Sequence, residues 1–318
     1  MKPPLIILAG PTASGKTALS VKLAKRIGGS VISADSMQVY RHMDIGSAKI
    51  RPKEMQGVPH YLIDELNPDE EFNIVLFQKL ASKYMQEIYA AGRIPILVGG
   101  TGFYIQSVLY GIDFSEERAS GKIREELTAY AVRHGSEALH RELEKVDLPS
   151  ANAIHPNNIK RVIRALEFYR QNGYPISEHN QTERQKPSPY AFAYFVLNEK
   201  RELLYQKIER RVDQMLAQGL LSEVEALKNM GCHKGMVSMQ GLGYKELLSF
   251  LDGERTLPEA VSVLKRDTRR FAKRQLTWFR RERDVIWLDK QEFDYDTNAI
   301  LERMVTILKE KGILHESQ

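Results

Sequence analysis

A glycine-rich loop near the start of the chain has the residue types and spacing needed to hold phosphate groups. Gly10–Thr17 fits the pattern G-x-x-x-x-G-K-[ST] and lies between an apolar run that predicts a buried strand, Leu5–Ala9, and a helical pattern, Lys16–Arg26. Backbone N–H groups and the helix dipole converge on phosphate oxygens, the Lys16 side chain adds a charge, and the Thr17 hydroxyl can ligate Mg²⁺. These flanking elements favour a phosphate site over a chance turn. The expected phosphate contacts are Gly10, Pro11, Thr12, Ala13, Ser14, Gly15, Lys16 and Thr17.

Such a loop identifies a polyphosphate and leaves open whether a nucleoside is attached to it. A nucleotide kinase usually also has an aspartate directly after an apolar strand. The best strand candidate, Ile94–Val98, is followed instead by Gly99, Gly100 and Thr101. This departure weakens the interpretation as a kinase but does not exclude it.

Two polar residues follow other predicted strands. Asp35 lies just past the predicted strand Val31–Ser33, and Thr101 follows the strand Ile94–Val98. The carboxyl ends of parallel strands lie at one edge of a sheet, so both residues are expected near the glycine-rich loop. From spacing alone, Asp35 is equally a general base or a turn cap, and Thr101 is equally a substrate contact or a helix cap.

The surrounding pattern predicts the elements that position these residues. Strands alternating with helices over the first hundred residues predict a parallel α/β sheet of the P-loop NTPase-like type. After Gly111 the chain shows only amphipathic helical patterns, Ile123–Val132 and Ile159–Gln171, before a strand pattern at Tyr190–Leu197 and mainly helical patterns from Arg201. We therefore predict an α/β core of residues 1–112 and 189–318, with a helical C-terminal part, and a helical insertion of residues 113–188.

Composition restricts the class of protein. The chain has 318 residues, 42% of them hydrophobic, which is enough for a large core. No run approaches the roughly 20 apolar residues that span a bilayer, and the N-terminus shows no signal peptide. Cys232 is the only cysteine, so an intramolecular disulfide and a cysteine-rich metal site are excluded. We expect a cytoplasmic protein with no membrane partner, and a monomer because no heptad pattern is present.

Positive charge is concentrated in one segment. The net charge of the chain is +5, yet Lys265–Arg283 contains nine lysines and arginines against only Asp267 and Glu282. This density favours a polyanionic partner over a merely solvated face. Phe271 and Trp278 are expected to pack in the core. The basic residues at helical spacing are Arg266, Arg269, Arg270, Lys273 and Arg274.

Eight segments along the chain carry a family resemblance. They are GPTASGKT (Gly10–Thr17), SADSMQVYRHMDIGSAK (Ser33–Lys49), PHYLID (Pro59–Asp64), GRIPILVGGTGFY (Gly92–Tyr104), HPNNIKRVIRALE (His155–Glu167), ERRVDQML (Glu209–Leu216), MQGLGYKE (Met239–Glu246) and TRRFAKRQLTWFRR (Thr268–Arg281). In this order they resemble the tRNA dimethylallyltransferase family over most of the chain. Ser47 stands where the family usually has threonine, and Arg210 adjoins the expected Arg211. The single cysteine excludes the zinc finger of some eukaryotic members, so the resemblance is to the bacterial type.

The resemblance implies an activity and a set of catalytic residues. Members transfer a dimethylallyl group from dimethylallyl diphosphate to the exocyclic amine of the adenosine on the 3′ side of a tRNA anticodon, and Mg²⁺ assists the departing diphosphate. Asp35 would be the general base, and Arg211 would contact the diphosphate. Arg210 and Arg211 point about 100° apart on a helix, so at most one is expected to face the site. The catalytic residues implied are Asp35, Thr12, Lys16, Thr101 and Arg211.

The same resemblance implies contacts with the anticodon stem-loop of tRNA. The target base must leave its stack to react. Gln38 is expected to bond base edges, Met37 to pack and Tyr244 to stack, while Gly241 and Gly243 permit close backbone approach. The implied contact residues are Asp35, Ser36, Met37, Gln38 and Thr101, then Lys160, Arg161 and Arg164, then Gln240, Gly241, Leu242, Gly243, Tyr244 and Lys245.

Two other functions fit parts of the sequence. A P-loop nucleotide kinase would use the loop for phosphoryl transfer but would leave the basic helix unexplained. A non-catalytic P-loop protein would bind tRNA tightly without turnover. Product analysis with prenyl donor and tRNA, compared with ATP and nucleotides, separates the three.

Overall fold

The structure is a computed structural model that describes residues 2–112 and 121–314. The first residues of the predicted insertion, 113–120, lie outside this range. The chain forms two compact units. One comprises the chain up to Leu109 and from Pro189 onward, and the other spans Tyr110–Ser188.

The first unit is built on a sheet of six parallel strands, in the order β3-β2-β4-β1-β5-β6. The strands are β1 (Pro4–Ala9), β2 (Gly29–Ala34), β3 (His60–Tyr61), β4 (Ile94–Gly99), β5 (Ala191–Asn198) and β6 (Val285–Asp289). The four predicted strands and the parallel α/β fold are confirmed. The sequence analysis missed β3, which has only two residues, and β6, a short strand in the largely helical C-terminal part that is defined by its pairing with β5.

Helices surround the sheet and form the second unit. They are α1 (Lys16–Ile27), α2 (Pro52–Met55), α3 (Ile74–Ala90), α4 (Gly102–Leu109), α5 (Gly121–His134), α6 (Ser136–Val146), α7 (Leu148–Ala153), α8 (Ile159–Asn172), α9 (Ile176–Gln185), α10 (Arg201–Ala217), α11 (Leu220–Asn229), α12 (Tyr244–Leu251), α13 (Leu257–Phe279) and α14 (Thr297–Glu310), with 3₁₀ helices at Ser238–Gln240 and Lys290–Phe293. None of the helices in the described part of the chain is long and apolar enough to cross a membrane.

Both faces of the sheet are covered. Alternate strand side chains, such as Leu8 and Phe195, cluster with Leu23 of α1 and Met304 of α14. On the other side, α3 contacts β2 and β4, and α4 also contacts β4. A parallel sheet buried on both faces needs nearly continuous apolar strands, which explains why short apolar runs identified β1 and β4.

The second unit has its own helical core. Helices α5 to α9 lie in it, and the described residues of this unit contain no strand. Leu127, Leu139, Leu143, Val162 and Leu166 form the centre of its apolar cluster. The helical character predicted for this segment is therefore confirmed for its described residues.

The parallel strands place chemically useful residues at one edge of the sheet. The residues that directly follow β1, β2, β4, β5 and β6 are Gly10, Asp35, Gly100, Glu199 and Lys290. Ligands of open α/β sheets bind at this carboxyl edge. The edge is therefore where the candidate site must be sought.

Candidate active site

Two cavities at the carboxyl edge form the candidate site. The first, named here the loop cavity, has a volume of about 480 Å³ and surrounds the glycine-rich loop. Its wall includes Thr12–Thr17, Asp35, Gly100, Arg211 and Gln275. A phosphate-bearing group held by the loop would therefore lie within reach of a carboxylate and a guanidinium.

The second cavity, named here the apolar cavity, has a volume of about 300 Å³. Ser36, Met37 and Thr101 lie on its wall, together with Gln240–Gly243 and Lys245. Much of the remaining wall is apolar and comes from Ile208, Val212, Met215, Leu264 and Phe271. This cavity fits a small hydrocarbon or a base, since aliphatic and aromatic side chains form one part of its wall and polar groups form the rest.

The two cavities share part of their walls. Thr12, Asp35, Ser47, Arg211 and Phe271 line both. A group held at the glycine-rich loop and a second group in the apolar cavity would therefore meet beside Asp35 and Arg211.

The glycine-rich loop holds its own lysine. The Lys16 ammonium donates to the carbonyl oxygens of Gly10, at 2.8 Å, and Pro11, at 2.7 Å. Burial lowers the pKa of Lys16 to about 7, and the charges of Arg211 and Lys290 act in the same direction while Asp35 opposes them. An incoming phosphate would reverse this shift, because an anion stabilises the charged form.

Asp35 caps a turn and also lies in the wall of the site. Its Oδ1 atom accepts the Met37 N–H at 2.8 Å, so the carboxylate does cap a turn. It also lines both cavities. Burial raises the pKa of Asp35, while the Met37 N–H and the charge of Lys16 hold it down. A carboxylate with a raised pKa and a fixed orientation is suited to accept a proton.

The paired arginines of α10 differ in burial. Arg211 is half-buried, lines both cavities, and has its pKa lowered by burial while Asp35 opposes that shift. Arg210 is exposed but also lines the loop cavity. The expectation that at most one of them faces the site is therefore too strict, because the exposed neighbour also reaches the cavity wall.

Thr101 combines a helix-capping position with a place at the site. It directly precedes α4, and its carbonyl accepts the N–H groups of Tyr104 and Ile105. It also lines the apolar cavity. The two interpretations of Thr101 are compatible.

The expected stacking role of Tyr244 is wrong for this structure. The side chain is fully buried, and its hydroxyl donates to Glu223 at 2.8 Å and accepts the Ser47 N–H at 3.2 Å. A Cβ atom on Gly46 would lie 2.6 Å from the Tyr244 ring, so the ring fills space that only a glycine leaves. Tyr244 therefore has a packing role. Its neighbours Gly243 and Lys245 line the apolar cavity instead.

Gln38 is bonded within the protein, and its expected base contact stays a prediction. Its Oε1 accepts the Ser33 hydroxyl at 2.9 Å, and its Nε2 donates to the carbonyls of Ser47 and Ala48 at 3.3 and 3.4 Å. The amide is therefore occupied within the protein, and the residue lines the loop cavity and not the apolar one. Ser36 and Met37 are the members of this segment that line the apolar cavity.

Phe271 is not a core residue as expected. It is half-buried and lines both cavities. The position of Phe271 on α13 agrees with its helical spacing, but this side of the helix borders a cavity and not the core. Trp278, one of the two aromatic residues expected in the core, is half-buried and packs against Gly102 and Phe103 of α4.

The basic residues of α13 do not all project freely. Arg269 pairs with Glu209, Lys265 pairs with Asp213, and Arg266 contacts Asp267. Lys273 and Arg274 are exposed, and Arg274 lines the apolar cavity. These ion pairs neutralise part of the excess positive charge of α13, mainly at residues that do not line the apolar cavity.

The basic residues predicted in the second unit also separate into two groups. Lys160 and Arg161 are exposed at the start of α8. Arg164 lies 3.7 Å from the buried carboxylate of Glu167, which Arg124 also contacts at 2.6 Å. Arg164 thus belongs to a buried ion pair, whereas Lys160 and Arg161 are accessible.

Glu223 is a site-organising residue that the sequence analysis missed. Its carboxylate accepts three consecutive backbone N–H groups, those of Asp44, Ile45 and Gly46, at 3.0, 2.7 and 3.0 Å. With Tyr244 it fixes the loop that carries Ser47 to the cavity walls. No local pattern marks Glu223, because its partners lie about 180 residues away.

The fold and site together define a P-loop α/β protein built for group transfer, in which a phosphate cradle and an apolar cavity share a carboxylate and an arginine. The sequence profile of the IPP transferase family matches residues 38–282. The chain belongs to this family.

Relatives and solved structures agree with this assignment. A protein of Lachnoclostridium phytofermentans called tRNA dimethylallyltransferase is 58% identical over 311 residues, which cover 98% of this chain and 99% of the relative. The full-length tRNA isopentenylpyrophosphate transferase of Bacillus halodurans is 46% identical, covers 98% of both chains and has a TM-score of 0.73. A eukaryotic dimethylallyltransferase acting on tRNA is 30% identical, with a TM-score of 0.77 over 90% of this chain and 74% of that one. The family resemblance read from the motifs is confirmed.

Proposed function

We propose that this protein transfers a dimethylallyl group from dimethylallyl diphosphate to the exocyclic amine of the adenosine on the 3′ side of the anticodon in tRNA. Relatives at 58% and 50% identity carry the name of this enzyme. The observation that carries the proposal is the shared wall of the two cavities, where Thr12, Asp35 and Arg211 face both. Donor and acceptor can meet at this shared wall, which the glycine-rich loop does not provide by itself.

The loop cavity serves the leaving group. As the allylic carbon–oxygen bond breaks, negative charge builds on the diphosphate and positive charge spreads over the allyl unit. Lys16, Arg211 and the loop N–H groups stabilise the first charge, because donors already in place act strongly in a site with little water. The lowered pKa of Lys16 rises again when the anion arrives, so the lysine is charged when it is needed.

Asp35 serves the nucleophile. The adenine amine is a weak nucleophile because its lone pair is delocalised into the ring. As the new carbon–nitrogen bond forms, the amine proton passes to the Asp35 carboxylate, whose orientation is set by the Met37 N–H. The apolar wall formed by Ile208, Val212 and Phe271 suits the five-carbon chain and excludes water that would capture the allyl cation.

Mg²⁺ is the metal expected from the sequence. The ion usually keeps several waters and binds through substrate phosphates with only one or two protein oxygens. The described residues contain no group of three or more histidine, cysteine or acidic side chains able to hold a metal. The Thr17 hydroxyl beside the loop cavity, together with the diphosphate, suits such a loosely held ion. When bound, Mg²⁺ would neutralise charge on the departing diphosphate.

Recognition of tRNA is assigned to groups that line the apolar cavity and to exposed basic residues in the second unit. Arg274, Lys160 and Arg161 are exposed and available for phosphates, as is the half-buried Lys245, which lies 3.5 Å from Glu246. Thr101, Ser36 and the Gln240–Gly243 backbone line the cavity and are available to the flipped base. Binding of an anticodon stem-loop should weaken steeply as salt rises, since phosphate contacts release counterions. An affinity that does not change with salt would contradict this assignment.

Product analysis tests the proposed function directly. The purified chain is given Mg²⁺, dimethylallyl diphosphate and an unmodified anticodon stem-loop, and the nucleosides and free diphosphate are quantified. We expect one prenylated adenosine for each diphosphate released. Phosphate transfer from ATP to a nucleotide would support a kinase, and tight tRNA binding without product would support a non-catalytic protein.

Three finer properties are proposed with the function. The division into residues 1–112 with 189–318 and an insertion of residues 113–188 would give a catalytic unit and a tRNA-contacting unit. A monomer is proposed because the sequence has no heptad pattern, and sedimentation tests it. A cytoplasmic location is proposed because the tRNA substrate resides there.

A further inference from the structure

A buried glutamine of α13 joins the two loops that form the phosphate end of the site. Gln275 is 6% exposed and lines the loop cavity. Its Oε1 accepts the Thr12 N–H at 2.9 Å, and its Nε2 donates to the Gly100 carbonyl at 3.0 Å. One amide thus bridges the loop after β1 and the loop after β4.

Few side chains can make this bridge. The two contacts need a donor and an acceptor at the end of one side chain of this length, which an amide provides. A carboxylate would place a second acceptor against the Gly100 carbonyl, and methionine would satisfy neither group. A Cβ atom on residue 100 would lie 2.0 Å from Gln275 Nε2, so the glycine leaves the room that the amide occupies.

The bridge determines which groups of the glycine-rich loop can face a phosphate. The Thr12 N–H is bonded to Gln275, so this group is directed away from any phosphate. The donors that remain for a phosphate include the N–H groups of the loop beyond residue 12, Lys16 and Arg211. Gln275 also follows Arg274 and lies one helical turn after Phe271, and both of these line the apolar cavity. The same amide therefore fixes the cavity wall relative to the cradle.

We propose that Gln275 is a positioning residue that holds the glycine-rich loop in its diphosphate-binding conformation. It acts through Thr12 and Gly100, to which its two amide atoms are bonded. This inference rests on the proposed function for the identity of the diphosphate.

Binding of inorganic diphosphate by the full-length chain, measured by calorimetry with Mg²⁺, tests the proposal without requiring turnover. For Gln275→Met we expect the Kd for diphosphate to rise roughly tenfold, as for the loss of two neutral hydrogen bonds. The KM for dimethylallyl diphosphate should rise by a similar factor, while the Kd for the anticodon stem-loop stays within about twofold. Gln206→Met, on the exposed side of α10, is the matched control and should change neither.

Gln275→Glu adds a readout that a merely structural role would not produce. At pH 8 its carboxylate should weaken diphosphate binding relative to the unmodified chain at the same pH. As the pH falls to 6, protonation restores one donor and one acceptor, and the ratio of the two affinities should move back toward one. Gln206→Glu should show a constant ratio.

The outcomes separate this inference from the proposed function. If the unmodified chain does not bind diphosphate, the proposed function fails. If it binds and Gln275→Met binds equally well, or loses diphosphate and tRNA affinity together, the positioning role is overturned. Should Gln275→Met not fold, the pH series of Gln275→Glu decides, and an affinity ratio that is constant with pH overturns the role.

Discussion

The phosphate end and the base-facing end of the site differ in how they are assembled. The phosphate end is centred on one continuous loop, in which Thr12–Thr17 line the cavity while Gly10 and Pro11 hold Lys16 through their carbonyls. Only a few distant side chains, such as Arg211 and Gln275, complete its wall. The base-facing end combines the segment after β2, the start of α4, the turn before α12, and side chains of α10 and α13. Local sequence therefore determines most of the first end, and long-range packing determines most of the second.

This difference explains where the sequence analysis assigned roles wrongly. In the glycine-rich loop, backbone N–H groups bind the phosphate, so a sequence that fits the loop pattern predicts the phosphate contacts. Next to the apolar cavity, Tyr244 has the right chemistry to stack on a base, but it is buried and its hydroxyl bonds to Glu223 and the Ser47 N–H. In the loop cavity, the Gln38 amide bonds to Ser33 and to the carbonyl of Ser47. Buried polar groups need hydrogen-bond partners, so a polar residue near a site can serve the fold and not the substrate.

Asp35→Asn should have the largest effect, because Asp35 belongs to both ends. The amide keeps the shape but cannot accept the amine proton, so kcat should fall roughly a thousandfold. The Kd for the anticodon stem-loop should stay within about twofold of normal. Single-turnover assays and filter binding measure the two. Asp294→Asn, at an exposed position, is the control, and full activity of Asp35→Asn would exclude the general-base role.

Lys16→Met should damage the phosphate end alone. Loss of the buried cation removes stabilisation of the leaving group, so kcat/KM for dimethylallyl diphosphate should fall roughly a hundredfold. The affinity for the stem-loop should be unchanged if the two ends are independent. Lys25→Met on the exposed side of α1 is the matched control. Equal losses of diphosphate and tRNA affinity would show that the ends are not separable.

Diphosphate binding should depend on pH through Lys16. Its pKa of about 7 in the free protein means that the lysine is largely neutral above this pH, and the anion favours the charged form. Binding therefore takes up a proton, and affinity should fall by up to about tenfold for each pH unit above 7. Calorimetry in buffers of different ionisation enthalpy measures the uptake. Lys16→Met should abolish it, and proton release by the unmodified chain would contradict the assignment.

Tyr244→Phe should have the smallest effect. It distinguishes a structural role of Tyr244 from a role in stacking on a base. The ring remains, but Glu223 and the Ser47 N–H lose a partner, so the free energy of unfolding should fall by about 1 kcal/mol. Turnover should fall only a few-fold as the loop that carries Ser47 loosens. Tyr295→Phe, at an exposed tyrosine, is the control for chemical denaturation. Unchanged stability of Tyr244→Phe would show that the hydroxyl has no structural role.

The sequence by itself determined four of the six strands of the sheet, its carboxyl edge and the phosphate cradle. Short apolar runs identified β1, β2, β4 and β5, because strands buried on both faces must be apolar throughout. The phosphate cradle could be predicted from eight consecutive residues, because their backbone groups bind the phosphate. The family followed from motifs quoted in order along the chain.

Tertiary structure alone decided which side chains face the cavities and which hold the fold together. Glu223 meets the backbone of Asp44–Gly46, and Gln275 meets Thr12 and Gly100, across more than a hundred residues, so no local pattern identifies these contacts. Phe271 and Tyr244 have ordinary helical spacing, yet one lines both cavities and the other is fully buried. The physical reason is that periodicity fixes the direction of a side chain on its helix, whereas the neighbour it meets depends on how distant elements pack.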